Sequence, residues 1–94
     1  MKWVEIIELR TVDSNRELLK AQMQELINES DKEIEKMKIR VYCRAMLDTD
    51  FSIHLLHNSK EVENSGSQLG LRLSSALKEF GLVNHCIWVE MLGK

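Results

Sequence analysis

The chain predicts an α+β domain in which the elements follow as strand, helix, strand, strand, helix, strand. Three observations predict it. Residues from Lys38 to His57 alternate with a period of two, which marks half-buried strands. Two other stretches carry apolar residues at helical spacing, each behind a serine suited to capping. The segments Trp3–Val12 and Val83–Leu92 are rich in residues that favour extended structure.

In chain order, Trp3 to Val12 reads as the first strand, and Asp13-Ser14-Asn15 breaks it. Ser14 followed by Glu17 fits a capping box, which satisfies free N–H groups at a helix start. Leu18, Leu19, Met23, Leu26 and Ile27 then share one face of a helix from about Asn15 to Glu29. The charged stretch Ser30–Lys36 either continues that helix or forms a separate turn, and reads as solvated surface. In the second strand Ile39, Val41, Cys43, Ala45 and Leu47 alternate with Arg40, Tyr42, Arg44 and Met46. Asp48-Thr49-Asp50 is the expected turn of a hairpin whose return strand is Phe51–His57.

Asn58 to Gly66 is polar and reads as a loop, with Ser65 and Gln68 as a second capping box. Leu69, Leu73, Ala76, Leu77 and Phe80 line the second helix, and Gly81 is placed to end it in a left-handed cap. Val83 to Leu92 is the last strand. Two helices of this kind pack on one face of a four-stranded antiparallel sheet, the ferredoxin-like arrangement.

Composition bounds the function classes. Ninety-four residues suit one domain, 1–94, and 44% hydrophobic with 30% charged residues is a globular rather than a disordered mixture. A net charge of -2 gives no electrostatic reason to expect nucleic acid or an anionic membrane as partner. No apolar run is long enough to span a bilayer, and Glu5 comes too early for a signal-peptide core, so a cytoplasmic location is expected. Cys43 and Cys86 lack a metal-type neighbour and read as small buried hydrophobes in a reducing compartment. An RNA-recognition domain has the same element order. Here, however, the third strand has one aromatic on its apolar side and no lysine or arginine.

Two helices cover one face of the sheet only. Ile39, Val41, Cys43, Ala45, Phe51, Ile53 and Leu55 form the apolar set, joined by Ile87, Val89 and Met91. In the first strand Ile7 and Leu9 are assigned inward, which turns Ile6, Glu8 and Arg10 outward. The second face then carries Arg40, Tyr42, Arg44, Met46, His54, Leu56, Asn84, Cys86, Trp88 and Glu90. That is too much apolar area for water and too much charge for a core. A two-fold dimer in which two such faces meet would bury the mixture and pair its charges.

Among these residues His54 is the candidate proton acceptor, with Glu8 or Glu90 to orient it and Arg40 or Arg44 to hold an anionic oxygen. Tyr42 and Trp88 could stack on an aromatic ligand. The plainer reading makes His54 a hydrogen-bonded interface histidine and the aromatics self-association surface. His54 and His57 face opposite sides of a strand and His85 lies on another, so no metal-ligand spacing is met. The loop Asn64-Ser65-Gly66-Ser67 leads into a helix start that could hold an anion, although capping explains it equally well.

In element order, length and face pattern the whole chain resembles the dimeric α/β-barrel superfamily, most nearly its antibiotic-biosynthesis-monooxygenase-like members. The resemblance includes no diagnostic motif. It implies a homodimer with a cleft between helices and sheet in each protomer. It also implies oxidation or binding of a small aromatic or quinol-like molecule without a metal or organic cofactor. His54 would then be the catalytic residue, with Arg40, Tyr42, Arg44, Trp88 and Glu90 as ligand-binding residues. The alternative is a non-enzymatic regulatory or assembly module that uses the face for self-association. Haem-degrading members place an asparagine in the first strand and a histidine on the second helix. This chain has Glu5 and Glu8 in its first strand and no histidine from Gln68 to Phe80, which departs from that pattern.

Overall fold

A computed structural model describes residues 1–12, 16–29 and 37–94. Its elements are β1 (Lys2–Thr11), α1 (Arg16–Asn28), β2 (Met37–Arg44), β3 (Leu47–Asn58), α2 (Gln68–Leu77) and β4 (Gly81–Val89). The strands form one antiparallel sheet in the order β2-β3-β1-β4. This is the ferredoxin-like α+β fold. The Ser14 cap and the Ser30–Lys36 stretch lie outside the described residues. No helix among the described residues is long and apolar enough to cross a membrane.

Period-two alternation sorts the side chains. Trp3, Glu5, Ile7 and Leu9 of β1 are buried on the helix side, so the inward assignment of Ile7 and Leu9 holds. Ile7 and Leu9 meet Phe51, Ile53 and Leu55 of β3, Leu19 and Met23 of α1, and Leu69, Leu73 and Leu77 of α2 in one core. Each such side chain contributes about 1.5–3 kcal/mol by leaving water. β2 and β4 are edge strands, and the cover thins over β2. Val41 is 43% exposed and Cys43 is exposed despite their inward parity. The expectation of a buried Cys43 is therefore corrected, while Cys86 is half-buried and both thiols are free.

The hairpin turn also lies elsewhere than expected. It falls at Ala45-Met46, where Met46 has φ 69° and is fully exposed, and Asp48–Asp50 belong to β3. The polar triplet is held in the ladder by its neighbours. Asp50 faces Arg10 and takes ion pairs from Arg10 at 3.2 Å and Arg44 at 3.3 Å, while Thr49 O accepts the Thr11 hydroxyl. Ala45 and Met46 consequently belong to neither face of the sheet.

Gly81 is not a left-handed cap. It opens β4 opposite Thr11, where a Cβ would run into the Arg10 carbonyl, and α2 stops at Leu77 rather than at Phe80. The last strand ends at Val89, which leaves Met91 91% exposed instead of in the apolar set.

Candidate functional site

The most highly built polar centre is on the covered face. Glu5 is wholly buried, in an inward register position between Trp3 and Ile7. Its carboxylate accepts four hydrogen bonds. Ser67 gives its N–H to Oε1 at 2.9 Å and its hydroxyl to Oε2 at 2.5 Å. His57 Nε2 lies 2.6 Å from Oε2, and His85 Nε2 lies 2.9 Å from Oε1.

The N-cap of α2 is Ser67, not Ser65, and the carboxylate explains the difference. The Ser67 hydroxyl accepts the Gly70 N–H at 3.1 Å while donating to Glu5, so the helix start and the acid share one network. Helix N-termini favour anions. The anion expected near Asn64–Ser67 is the chain's own Glu5. Burial pushes the carboxyl pKa up, but the bonds from Ser67, His57 and His85 outweigh it and hold the group below its ordinary value. Glu5 is thus an anion at neutral pH, and both imidazoles present Nε2–H to it.

Two glycines make the space. A Cβ on Gly70 would enter the Glu5 carboxylate, and one on Gly66 would strike the His85 ring. Gly66 also has φ 102°, a conformation that side chains other than glycine rarely adopt. On the opposite flank the Trp3 ring stacks on His57 at 3.9 Å between centroids and 13° between planes, and Trp3 Nε1 donates to Ser59 Oγ at 2.8 Å. Among the described residues the only buried side-chain polar atom without a partner is Ser74 Oγ, so this centre is fully satisfied.

Sequence reasoning missed the Glu5 centre and treated His57 and His85 as unrelated. A signal was present. The parity that sends Ile7 and Leu9 inward sends Glu5 inward as well, and a lone acid in that register must find donors.

The open face carries the residues expected to bind a ligand. Register places Arg40, His54, Ile6 and Cys86 in one row across the sheet, with Tyr42, Ser52, Glu8 and Asn84 in the next. His54 Nε2 is 2.9 Å from Ser52 Oγ, and its ring meets the Tyr42 ring edge-on at 4.9 Å. Ser52, rather than Glu8 or Glu90, is the orienting partner. Arg40 is next to His54 in the ladder, whereas Arg44 is committed to Asp50. Trp88 is on the far edge strand in the row Lys38–Leu56–Val4–Trp88, and Glu90 lies just past β4. Arg40, Tyr42 and His54 are therefore grouped, while Arg44, Trp88 and Glu90 stand apart from them.

Hollows accompany these groups. One of about 680 Å³ lies at the Lys2 end of the open face, with Val4, Leu56 and Trp88 facing it and Lys2, Lys38 and Glu90 at its rim. A shallower one of about 230 Å³ lies at the other end, between Glu8, Arg10, Leu82 and Asn84. A cleft of about 440 Å³ opens between the helices and the sheet, walled by Leu19, Gln22, Phe51 and Phe80. Among the described residues no cluster of His, Cys, Asp and Glu is arranged to hold a metal ion.

No protein family and no curated protein matches the chain. Among solved structures, Rv0793 from Mycobacterium tuberculosis is similar with a TM-score of 0.71 at 15% identity, over 99% of this chain and 98% of that one. That likeness shows the fold alone. It extends over both chains almost completely, so neither carries a large insertion relative to the other.

Proposed function

We propose that the chain works as a homodimer of the dimeric α/β-barrel kind. In this reading it binds a small aromatic or quinol-like molecule on the open sheet face, rather than in the cleft between helices and sheet that the resemblance implies. The observation that carries the reading is the make-up of that face. Tyr42, Leu56, Leu82 and Trp88 are 48%, 39%, 72% and 59% exposed, beside Arg40, His54 and the Arg10–Asp50–Arg44 group. Isolated apolar residues on a surface are ordinary, but an open sheet face with this content is a site for association. Two faces brought together would exclude water from His54 and Tyr42.

In such an enclosure His54 accepts the phenolic proton of the ligand, and Arg40 pairs with the anion that results. Ser52 sets the ring orientation through Nε2, leaving Nδ1 for the ligand. Tyr42, whose ring meets that of His54, supplies stacking surface, and Trp88 lies outside this group. This chemistry calls for no metal or organic cofactor.

The second reading is a non-enzymatic assembly module. It is favoured by the Glu5 centre, the best-made polar network among the described residues, which is sealed and serves the fold. One set of measurements separates the two. Light scattering gives the mass in solution at micromolar protein, native mass spectrometry detects a co-purified small molecule, and aerobic quinol oxidation is followed for the wild type and His54→Ala. A dimer whose ligand or turnover disappears in His54→Ala supports the first reading. A dimer without ligand or turnover supports the second, and a clean monomer contradicts both.

A further inference from the structure

The β4 strand ends at Val89, yet its backbone continues one step further, since the Glu90 N–H donates to Lys2 O at 2.9 Å. Beyond that bond Met91 and Leu92 are 91% and 89% exposed. At the same end of the sheet Val89 is 50%, Trp88 59% and Leu56 39% exposed. Five large apolar side chains thus crowd one end of the molecule, directly beside the hollow of about 680 Å³ that Val4, Leu56 and Trp88 face. Hollows of roughly 300–1,000 Å³ take up ligands of drug size, so a pair of aliphatic side chains fits this one.

We infer that Met91 and Leu92 form an arm that inserts into the hollow of a second copy of this chain, where they cover Leu56 and Trp88. The inference rests on the homodimer reading and specifies its contact. In their own subunit both side chains stay in water. When two sheets meet face to face about a two-fold axis parallel to the strands, like ends lie together, and each arm emerges beside the partner's hollow. An axis across the strands would instead lay the arm against the charged Arg10–Asp50–Arg44 group. Lys2 and Lys38 can extend their ammonium groups past the rim while their stems line it. The arms make the two hollows incomplete without each other, and the contact is the same from both sides.

Sedimentation of the wild type, Met91→Ser/Leu92→Ser and Leu56→Lys measures the association. The arm variant is expected to raise the dimer dissociation constant by at least about 100-fold, since four side chains per dimer return to water. Circular dichroism is expected to stay unchanged, because both positions are exposed. In a Cys43→Ser/Cys86→Ser background, Leu56→Cys with Leu92→Cys is expected to oxidise to a covalent dimer. A wild-type dimer that the arm variant does not weaken, or a disulfide formed within one chain, overturns the inference and leaves the homodimer in place. A wild type that is monomeric at high micromolar concentration overturns the homodimer itself.

Discussion

Glu5 and His57 are joined by a 2.6 Å hydrogen bond along the diagonal of the β1–β3 ladder, since Glu5 itself faces Leu55 and His57 faces Trp3. On the other side His85 reaches the same carboxylate along the diagonal of the β1–β4 ladder, one pair beyond Ile87. Diagonal neighbours in a sheet stand about 7–8 Å apart at the backbone, within reach of long side chains. One acid therefore ties the three strands β3, β1 and β4 to the start of α2.

Removing the acid should cost more than any single aliphatic truncation at the rim of the core. Glu5→Leu leaves Ser67, His57 and His85 with donors facing a hydrocarbon, and each buried donor left unpaired costs about 1–3 kcal/mol. Glu5→Gln keeps the shape but turns an NH₂ toward groups that are themselves donors, with an expected loss of about 1–3 kcal/mol. Urea unfolding at neutral pH checks both, and midpoints equal to the wild type would show that the network contributes nothing.

The same centre gives the protein an acid limit. The folded carboxyl pKa of Glu5 lies below its unfolded value, so the unfolded state binds the proton first. The stability it contributes is complete above about pH 4.3 and is lost as pH falls through the folded pKa. Glu5→Gln lacks this proton, so the stability gap between wild type and variant should narrow steadily below about pH 4. Asp50 is also held low, by Arg10 first and then by Thr49 and Arg44. Asp50→Asn should therefore flatten part of the same acid limb, and unfolding free energies measured across the acid range distinguish the two groups.

Ser67 should matter more than an ordinary cap. Its hydroxyl gives to Glu5 and takes from Gly70, whereas a capping serine elsewhere only accepts. Loss of an N-cap costs about 0.5–2 kcal/mol. Ser67→Ala also strips one of the four bonds from a buried carboxylate, so a loss at or above the upper end of that range is expected. Thr at this position keeps the hydroxyl and should recover part of it. The two unfolding midpoints, read together, test whether the hydroxyl is what counts.

The fold was legible because its signals are periodic. Alternation in Lys38–His57 and helical spacing in Leu69–Leu77 describe backbone geometry that neighbouring residues repeat. The hairpin turn was misplaced because Ala45-Met46 carries none of the residues that usually announce one. The polar Asp48-Thr49-Asp50 resembled a turn, yet it is stabilised by Arg10, Thr11 and Arg44, two of which are distant in sequence. The Glu5 centre was hidden for the same physical reason. Glu5 is separated by more than fifty residues from each of its partners, and their meeting depends on strand register, which no local pattern encodes. The open-face group of Arg40, Tyr42 and His54 was readable because two adjacent strands of one hairpin supply it.

Gly70 offers the sharpest test of that register. In an exposed helix interior, Gly→Ala stabilises by about 1 kcal/mol. At Gly70 the new Cβ would enter the Glu5 carboxylate, so Gly70→Ala should destabilise instead, by about 1–3 kcal/mol as overpacking does. The sign should depend on the acid. In a Glu5→Ala background the obstacle is gone, and Gly70→Ala should become neutral or stabilising. A double-mutant cycle then gives a coupling in the range of about 0.5–3 kcal/mol expected of residues in contact. Circular dichroism in urea for the four proteins measures it, and additivity within about 0.3 kcal/mol would mean that the carboxylate does not lie over Gly70.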